Sequence, residues 1–131
     1  MRLRMELFVD DLDVGVAFYA DVLGFQVMRR AGDYVSLRRG TVVLGLGPVA
    51  KLPEHDGPGF TRRRLAADKG AGVEIVLELD DLAQLSELHD RCQAERVVVE
   101  ALQRRPWGLS DFRVVDPDGY YLRLTHGNAA A

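Results

Sequence analysis

An α+β fold built from two β-α-β-β-β modules is what this 131-residue sequence predicts. Three observations carry that prediction. Each half opens on a short stretch of period-two alternation, followed at once by an Asp-Asp pair and then by an apolar stripe at helical spacing. A shift of 70 residues superposes Val9-Asp10-Asp11-Leu12 on Leu79-Asp80-Asp81-Leu82. A slightly larger shift superposes residues 40–46 on 119–125, so the chain reads as a duplication: module 1 over 1–47, a connecting segment over 48–72, and module 2 over 73–126.

In module 1, residues 3–9 alternate, with Leu3, Met5, Leu7 and Val9 on one face and Arg4, Glu6 and Phe8 on the other. Asp10-Asp11 caps a helix running to about Leu23, whose stripe is Leu12, Val16, Tyr19 and Leu23. Gly24 stands where a left-handed residue ends a helix. Strands are expected over 25–30, 34–37 and 41–46, punctuated by Gly32-Asp33 and Arg39-Gly40. Module 2 repeats the order. A strand over 73–79 precedes a helix capped by Asp80-Asp81, with Gln84 completing a capping box and Leu82, Leu85, Leu88, His89 and Cys92 along its inner stripe. Strands over 97–102, 112–115 and 120–125 follow, the last two joined by the turn Asp116-Pro117-Asp118-Gly119. The 48–72 segment holds three of the five prolines, Phe60 and Arg62-Arg63-Arg64; it reads either as a solvated linker or as a lid or dimer-spanning arm.

Bulk properties narrow the function. A formal net charge of −3 argues against a nucleic-acid partner or an anionic membrane, and the short arginine runs come with no recognition-helix or stacking-platform pattern. No segment reaches the ~18 apolar residues of a membrane span, and no signal peptide is evident, so a cytoplasmic location is the default expectation. The single cysteine, Cys92, allows no intramolecular disulfide.

The V-D-D-L…F-Y…L-G-F opening, from Val9 to Phe25, and the closing D-P-D-G-Y-Y-L, from Asp116 to Leu122, resemble the vicinal-oxygen-chelate superfamily. Its members include glyoxalases, extradiol dioxygenases, fosfomycin-modifying enzymes and bleomycin-resistance proteins. The resemblance implies modules whose mixed sheets curl around a cleft, and homodimers with shared clefts. It also implies metal ligands at four cavity-facing positions, which fall here at Arg4, Leu44, Glu74 and Arg123. Guanidinium offers no lone pair and stays protonated, so two of the four cannot ligate and would repel a dication. Only Glu74 remains, and one carboxylate does not make a tight site. His55, His89 and His126 show no H-x-H or H-E-x-x-H spacing. The expectation is therefore a protein without a metal or other cofactor.

Arg105-Pro106-Trp107-Gly108…Phe112 is similar to the P-W-G-x-x-F stretch of the bleomycin-resistance proteins, which sequester a drug unaltered. That similarity gives Trp107 the role of stacking on a flat ligand, with Tyr34 as the candidate aromatic partner from module 1; the alternative is that Trp107 plugs a barrel end. Alternation adds Glu6 and Phe8, Val42 and Leu46, Val76 and Glu78, and Tyr121 and Thr125 as cavity-facing residues. Arg4 or Arg123 either contacts the ligand or pairs with Glu74 in place of a metal. The expected ligand site is thus Arg4, Glu6, Phe8, Tyr34, Leu44, Leu46, Glu74, Trp107, Tyr121 and Arg123, with no catalytic residues assigned. Two functions follow: a homodimeric protein that binds a large, partly aromatic natural product such as a bleomycin-type glycopeptide or an enediyne, or a metal-independent lyase or isomerase using Glu6, Glu74 or Glu78 as base. Cys92, in a helix stripe without an evident partner, reads as an inert buried thiol.

Overall fold

The computed structural model describes residues 1–55 and 57–127. It divides into an amino-terminal unit, Met1–Lys69, and a carboxy-terminal unit that starts at Gly70. Each carries the same β-α-β-β-β order, as the duplication predicts, and each has one mixed four-stranded sheet.

In the first unit, β1 (Met5–Val9) leads into α1 (Leu12–Ala17), and β2 (Gln26–Ala31), β3 (Tyr34–Arg39) and β4 (Val42–Pro48) follow. The sheet order is β1-β4-β3-β2, with β1 parallel to β4 and the other neighbours antiparallel. Asp11 caps α1, its Oδ1 accepting from Val14 N at 3.1 Å. The helix does not run evenly to Leu23. Its last turn, Phe18–Val22, widens to a π-helix in which Leu23 N donates to Phe18 O. The widening has a packing reason: Phe18, Tyr19, Val22 and Leu23 are all buried, more than a narrow α-helical stripe accommodates. Phe18 and Phe25 both pack edge-on to the Tyr19 ring, at 5.0 and 6.0 Å. Gly24, at φ 76°, then turns the chain into β2. Beyond β4 lie a 3-10 turn (Val49–Lys51) and a short helix, α2 (Arg62–Leu65), capped by the buried Thr61 and anchored by the buried Leu65.

In the second unit, β5 (Glu74–Leu79), α3 (Leu82–Ala94), β6 (Val98–Arg104), β7 (Ser110–Val115) and β8 (Tyr121–His126) form the sheet order β5-β8-β7-β6. Half of the expected capping box is present: the cap residue Asp81 accepts from Gln84 N at 2.8 Å, while Gln84 Oε1 accepts from Asp80 N at 3.4 Å, one residue before the cap, instead of from Asp81 N. Leu85, Leu88, His89 and Cys92 are the buried stripe of α3. His89 is a packing residue, its Nε2 accepting from Leu102 N at 3.1 Å and its ring edge-on to Phe112. In the β7–β8 turn, Asp116 Oδ1 accepts from both Asp118 N and Tyr120 N.

Each sheet presents one face to its core. Leu7 and Val9, Val35 and Leu37, and Leu44 and Leu46 are buried in the first unit. Ile75, Leu77 and Leu79, Phe112 and Val114, and Leu122 and Leu124 are buried in the second. The alternating residues lie on the opposite, open face, which is where the site must be sought.

Leu44 and Leu46 therefore correct the sequence expectation. They are 1% and 0% exposed, and the parallel register pairs Met5 with Leu44 and Leu7 with Leu46, on the core side. Val42, two residues before Leu44, shares that side. The open-face positions of β4 are Val43, Gly45 and Gly47, and Gly45 stands opposite Glu6 as Arg123 stands opposite Val76. The cause is turn length: β3 and β4 are separated by Gly40 and Thr41, whereas five residues separate β7 from β8. Aligning the two glycines slides one strand by one residue, which exchanges its faces.

Candidate functional site

On the open face of the first unit, Arg4, Glu6 and Phe8 project from β1 and its entry, and Tyr34 from the start of β3. Glu6 Oε1 gathers two donors, Arg4 Nη2 at 3.1 Å and the Tyr34 hydroxyl at 3.2 Å. Burial, then the charge of Glu6 and the hydrogen bond to it, raise the Tyr34 pKa, so the phenol keeps its proton and remains a donor. The Glu6 hydrogen bond raises Arg4 likewise. Gly45 makes this arrangement possible. A Cβ built there would collide with Glu6 Oε2 and the Tyr34 hydroxyl, and would lie 2.7 Å from Glu6 Cδ. The carboxylate and the phenol therefore cross directly above the glycine of the central strand. Two residues along β1, Phe8 meets Phe60 with ring centroids 4.7 Å apart. Phe60 is 60% exposed and comes from the 48–72 segment, which thus reaches its own unit's open face.

The open face of the second unit is a closed charge network. Arg123 Nε donates to Glu74 Oε1 at 2.9 Å across the parallel β5–β8 pair. Arg113, opposite Arg123 in β7, donates to the Tyr121 hydroxyl at 3.2 Å and lies 4.0 Å from Glu74, 3.9 Å from Glu100 and 3.7 Å from Asp111. Arg105 donates at 2.8 Å both to Glu100 Oε1 and to Asp111 Oδ1, the latter carboxylate being fully buried. These bonds raise the Arg105 pKa, Glu100 contributing most, while the Tyr121 hydroxyl is the main cause at Arg113. Three guanidiniums thus face three carboxylates. Asp111 Oδ2 and Arg113 Nε alone within this network are buried without a hydrogen bond among the described residues.

Of the expected site residues, Arg4, Glu6, Phe8 and Tyr34 come together on one open face, and Glu74, Tyr121 and Arg123 on the other. Val76 and Glu78 also lie on the open face of β5, both exposed, and Thr125, opposite Glu78 and Asp111, shares that face but is buried, its hydroxyl donating to Ser110 O at 2.8 Å. Trp107 stands at the tip of the β6–β7 hairpin, 61% exposed, followed by Gly108 at φ 96°. Gly45, Asp111, Arg113, Glu100 and Arg105 escaped sequence reasoning. A signal was available for two of them: Asp111 and Arg113 flank Phe112, the apolar partner in a period-two strand.

The donor set does not suit a divalent cation. Corrected for register, the four positions that the resemblance assigns to metal ligands are Arg4, Gly45, Glu74 and Arg123: two guanidiniums, a residue with no side chain, and one carboxylate already held by Arg123. Among the described residues no three His, Cys, Asp or Glu side chains gather into a metal site elsewhere. Cys92 is buried, and desolvation pushes its thiol up to about 11, which removes it as a nucleophile at neutral pH.

Comparison with known proteins gives one family model, Glyoxalase/Bleomycin resistance protein/Dioxygenase superfamily, matching residues 3–124. Among solved structures, a lactoylglutathione lyase from Agrobacterium tumefaciens is 25% identical, with TM-score 0.69, covering 95% of this chain and 92% of that one. A bleomycin resistance determinant encoded on the transposon Tn5 is also 25% identical, with TM-score 0.68 and coverage of 98% and 99%. TioX from Micromonospora sp. ML1 shares the fold at 21% identity and TM-score 0.74, over 96% and 98% of the two chains. No curated protein matches.

Proposed function

This chain belongs to the glyoxalase/bleomycin resistance protein/dioxygenase superfamily, and from that premise we propose that it is a ligand-binding member that sequesters a large, partly aromatic natural product without altering it. One observation carries the reading: the Arg123–Glu74 ion pair, at 2.9 Å, commits the one carboxylate of the four metal positions to a guanidinium at another. A family member that replaces its metal by an internal ion pair keeps the curled sheets and their open faces but gives up a Lewis acid. What remains is a surface of aromatic rings and paired charges, the usual composition of a small-molecule site. Likeness to the Tn5 bleomycin resistance determinant and the exposed Trp107 support the same reading. The protein would act as a cytoplasmic homodimer with two clefts, needing no cofactor.

Titration with a bleomycin-type glycopeptide and with an enediyne, followed by Trp107 fluorescence, tests this. Saturable quenching with recovery of the intact compound by mass spectrometry is the expected result. Time-dependent conversion to a product would favour a metal-independent lyase or isomerase. A stoichiometric, tightly held metal in protein purified without chelators would overturn the assignment, as a monomer by sedimentation would overturn the shared clefts.

A further inference from the structure

We infer that the open face of the first unit is a subsite for a cationic aromatic group, a flat ring bearing a protonated amine, built from Glu6, Tyr34, Phe8 and Phe60 above Gly45. The inference rests on the ligand-binding reading above and adds the chemistry of what is bound.

The two open faces differ in what they leave available. In the second unit Glu74, Glu100 and Asp111 are each held by an arginine, and Glu78, the other carboxylate on that face, has no aromatic wall beside it among the described residues. In the first unit, Glu6 accepts both of its hydrogen bonds at Oε1, while Oε2, over Gly45, accepts none among the described residues. A carboxylate has about four acceptor sites across its two oxygens, so half of its capacity is open. The side chain is 44% exposed and within reach of a ligand. Arg4, its cationic partner, is 65% exposed and well screened.

The aromatic half lies beside it. Glu6 and Phe8 are two residues apart on one strand and share a face, which sets them roughly 7 Å apart along β1. Phe60, mostly exposed, extends the half-buried Phe8 ring into a two-ring wall. A protonated amine attached to a flat ring could engage Oε2 with its ammonium while its ring lies against the phenylalanines. The ammonium would also feel their negative faces. The Tyr34 hydroxyl donates to Glu6 and holds that carboxylate in place. Arg38, opposite Val43, and Arg29, opposite Ser36, share this face by register, so an anionic aromatic is the competing ligand that the test must exclude.

The test uses three small probes on the full chain, followed by amide chemical-shift titration: tryptamine, indole-3-propionate and n-butylamine. Tryptamine should bind about tenfold more tightly than either of the others, with shifts centred on Glu6, Tyr34, Gly45 and Phe60. Glu6→Gln should abolish the preference for tryptamine over the anionic indole, and Phe60→Ala should weaken both indoles. Arg4→Ala, by freeing Glu6, should strengthen tryptamine several-fold. Opposite signs for Arg4 and Glu6 are not expected of a merely structural pair. Equal or tighter binding of indole-3-propionate, absence of tryptamine binding, or an unaltered preference in Glu6→Gln overturns the inference. The two readings fail separately. Intact natural product that quenches Trp107 equally in wild type and Glu6→Gln leaves sequestration standing without this subsite, whereas selective tryptamine binding beside chemical conversion of the natural product does the reverse.

Discussion

Replacing Gly45 by alanine should separate the open face from the fold beneath it. The new Cβ would meet Glu6 Oε2 and the Tyr34 hydroxyl, both ends of side chains that can swing outward, rather than backbone. Displacing them forfeits the Tyr34–Glu6 hydrogen bond, about 1 kcal/mol, and the solvent-screened Arg4–Glu6 pair, which adds little. Against that, removing a glycine from a strand interior returns about 0.5–1 kcal/mol of backbone entropy, since Gly45 is not among the positive-φ glycines. The opposite face, with Leu44 and Leu46, is untouched. Net stability should therefore change by less than about 1 kcal/mol, while ligand affinity falls at least several-fold. Denaturant unfolding with a parallel tryptamine titration reads both. Two results would refute the reasoning. A stability loss near 3 kcal/mol would mean that Gly45 packs against something other than two mobile side-chain ends, and unchanged affinity would mean that Glu6 and Tyr34 do not form the binding surface.

Three further outcomes are expected. Trp107→Ala should leave the unfolding midpoint nearly unchanged, because the ring is mostly exposed, and weaken natural-product binding about three- to tenfold, the equivalent of one aromatic stacking contact; wild-type affinity would return Trp107 to no more than a surface residue. Asp111→Ala leaves Arg105 without its buried carboxylate and should lower the chemical-denaturation midpoint, whereas an unchanged midpoint would show that Glu100 alone satisfies that guanidinium. With its thiol pushed up to about 11, Cys92 should resist alkylation in the native protein at pH 8 and react at the unfolded rate once denaturant is added; the folded state binds this proton more tightly, so stability should decline as pH rises from about 9 towards 11.

The parts of the fold legible in the sequence are those where one local rule decides. Period-two alternation located the faces of β1 and β5, and aspartates before apolar stripes located α1 and α3, because a capping side chain and a strand pleat act within four residues. The π turn at Phe18–Val22 was not legible, since it answers to the joint burial of four large side chains, a tertiary demand that no local spacing encodes. The charge network of the second unit was half legible: the Glu74–Arg123 pairing stood among the alternatives, but Asp111, Arg113 and Arg105 meet only after β7 takes its place beside β8.

The Leu44 error shows why a site built on duplication needs the pairing register as well as the repeat. Read by the glycines, the two closing strands place a leucine against an arginine, and neither residue explains the other. Read by the parallel partners, the same position is filled with Arg123 in one unit and emptied to Gly45 in the other. The consequence is chemical. A guanidinium at 123 closes on Glu74 and neutralises that face, whereas the missing side chain at 45 lets Glu6 and Tyr34 lean across the strand with one carboxylate oxygen still open. One duplicated scaffold thus fills equivalent positions in two ways, pairing charges at Arg123 in one half and clearing space at Gly45 in the other, and the cleared half sets an open carboxylate oxygen beside two aromatic rings.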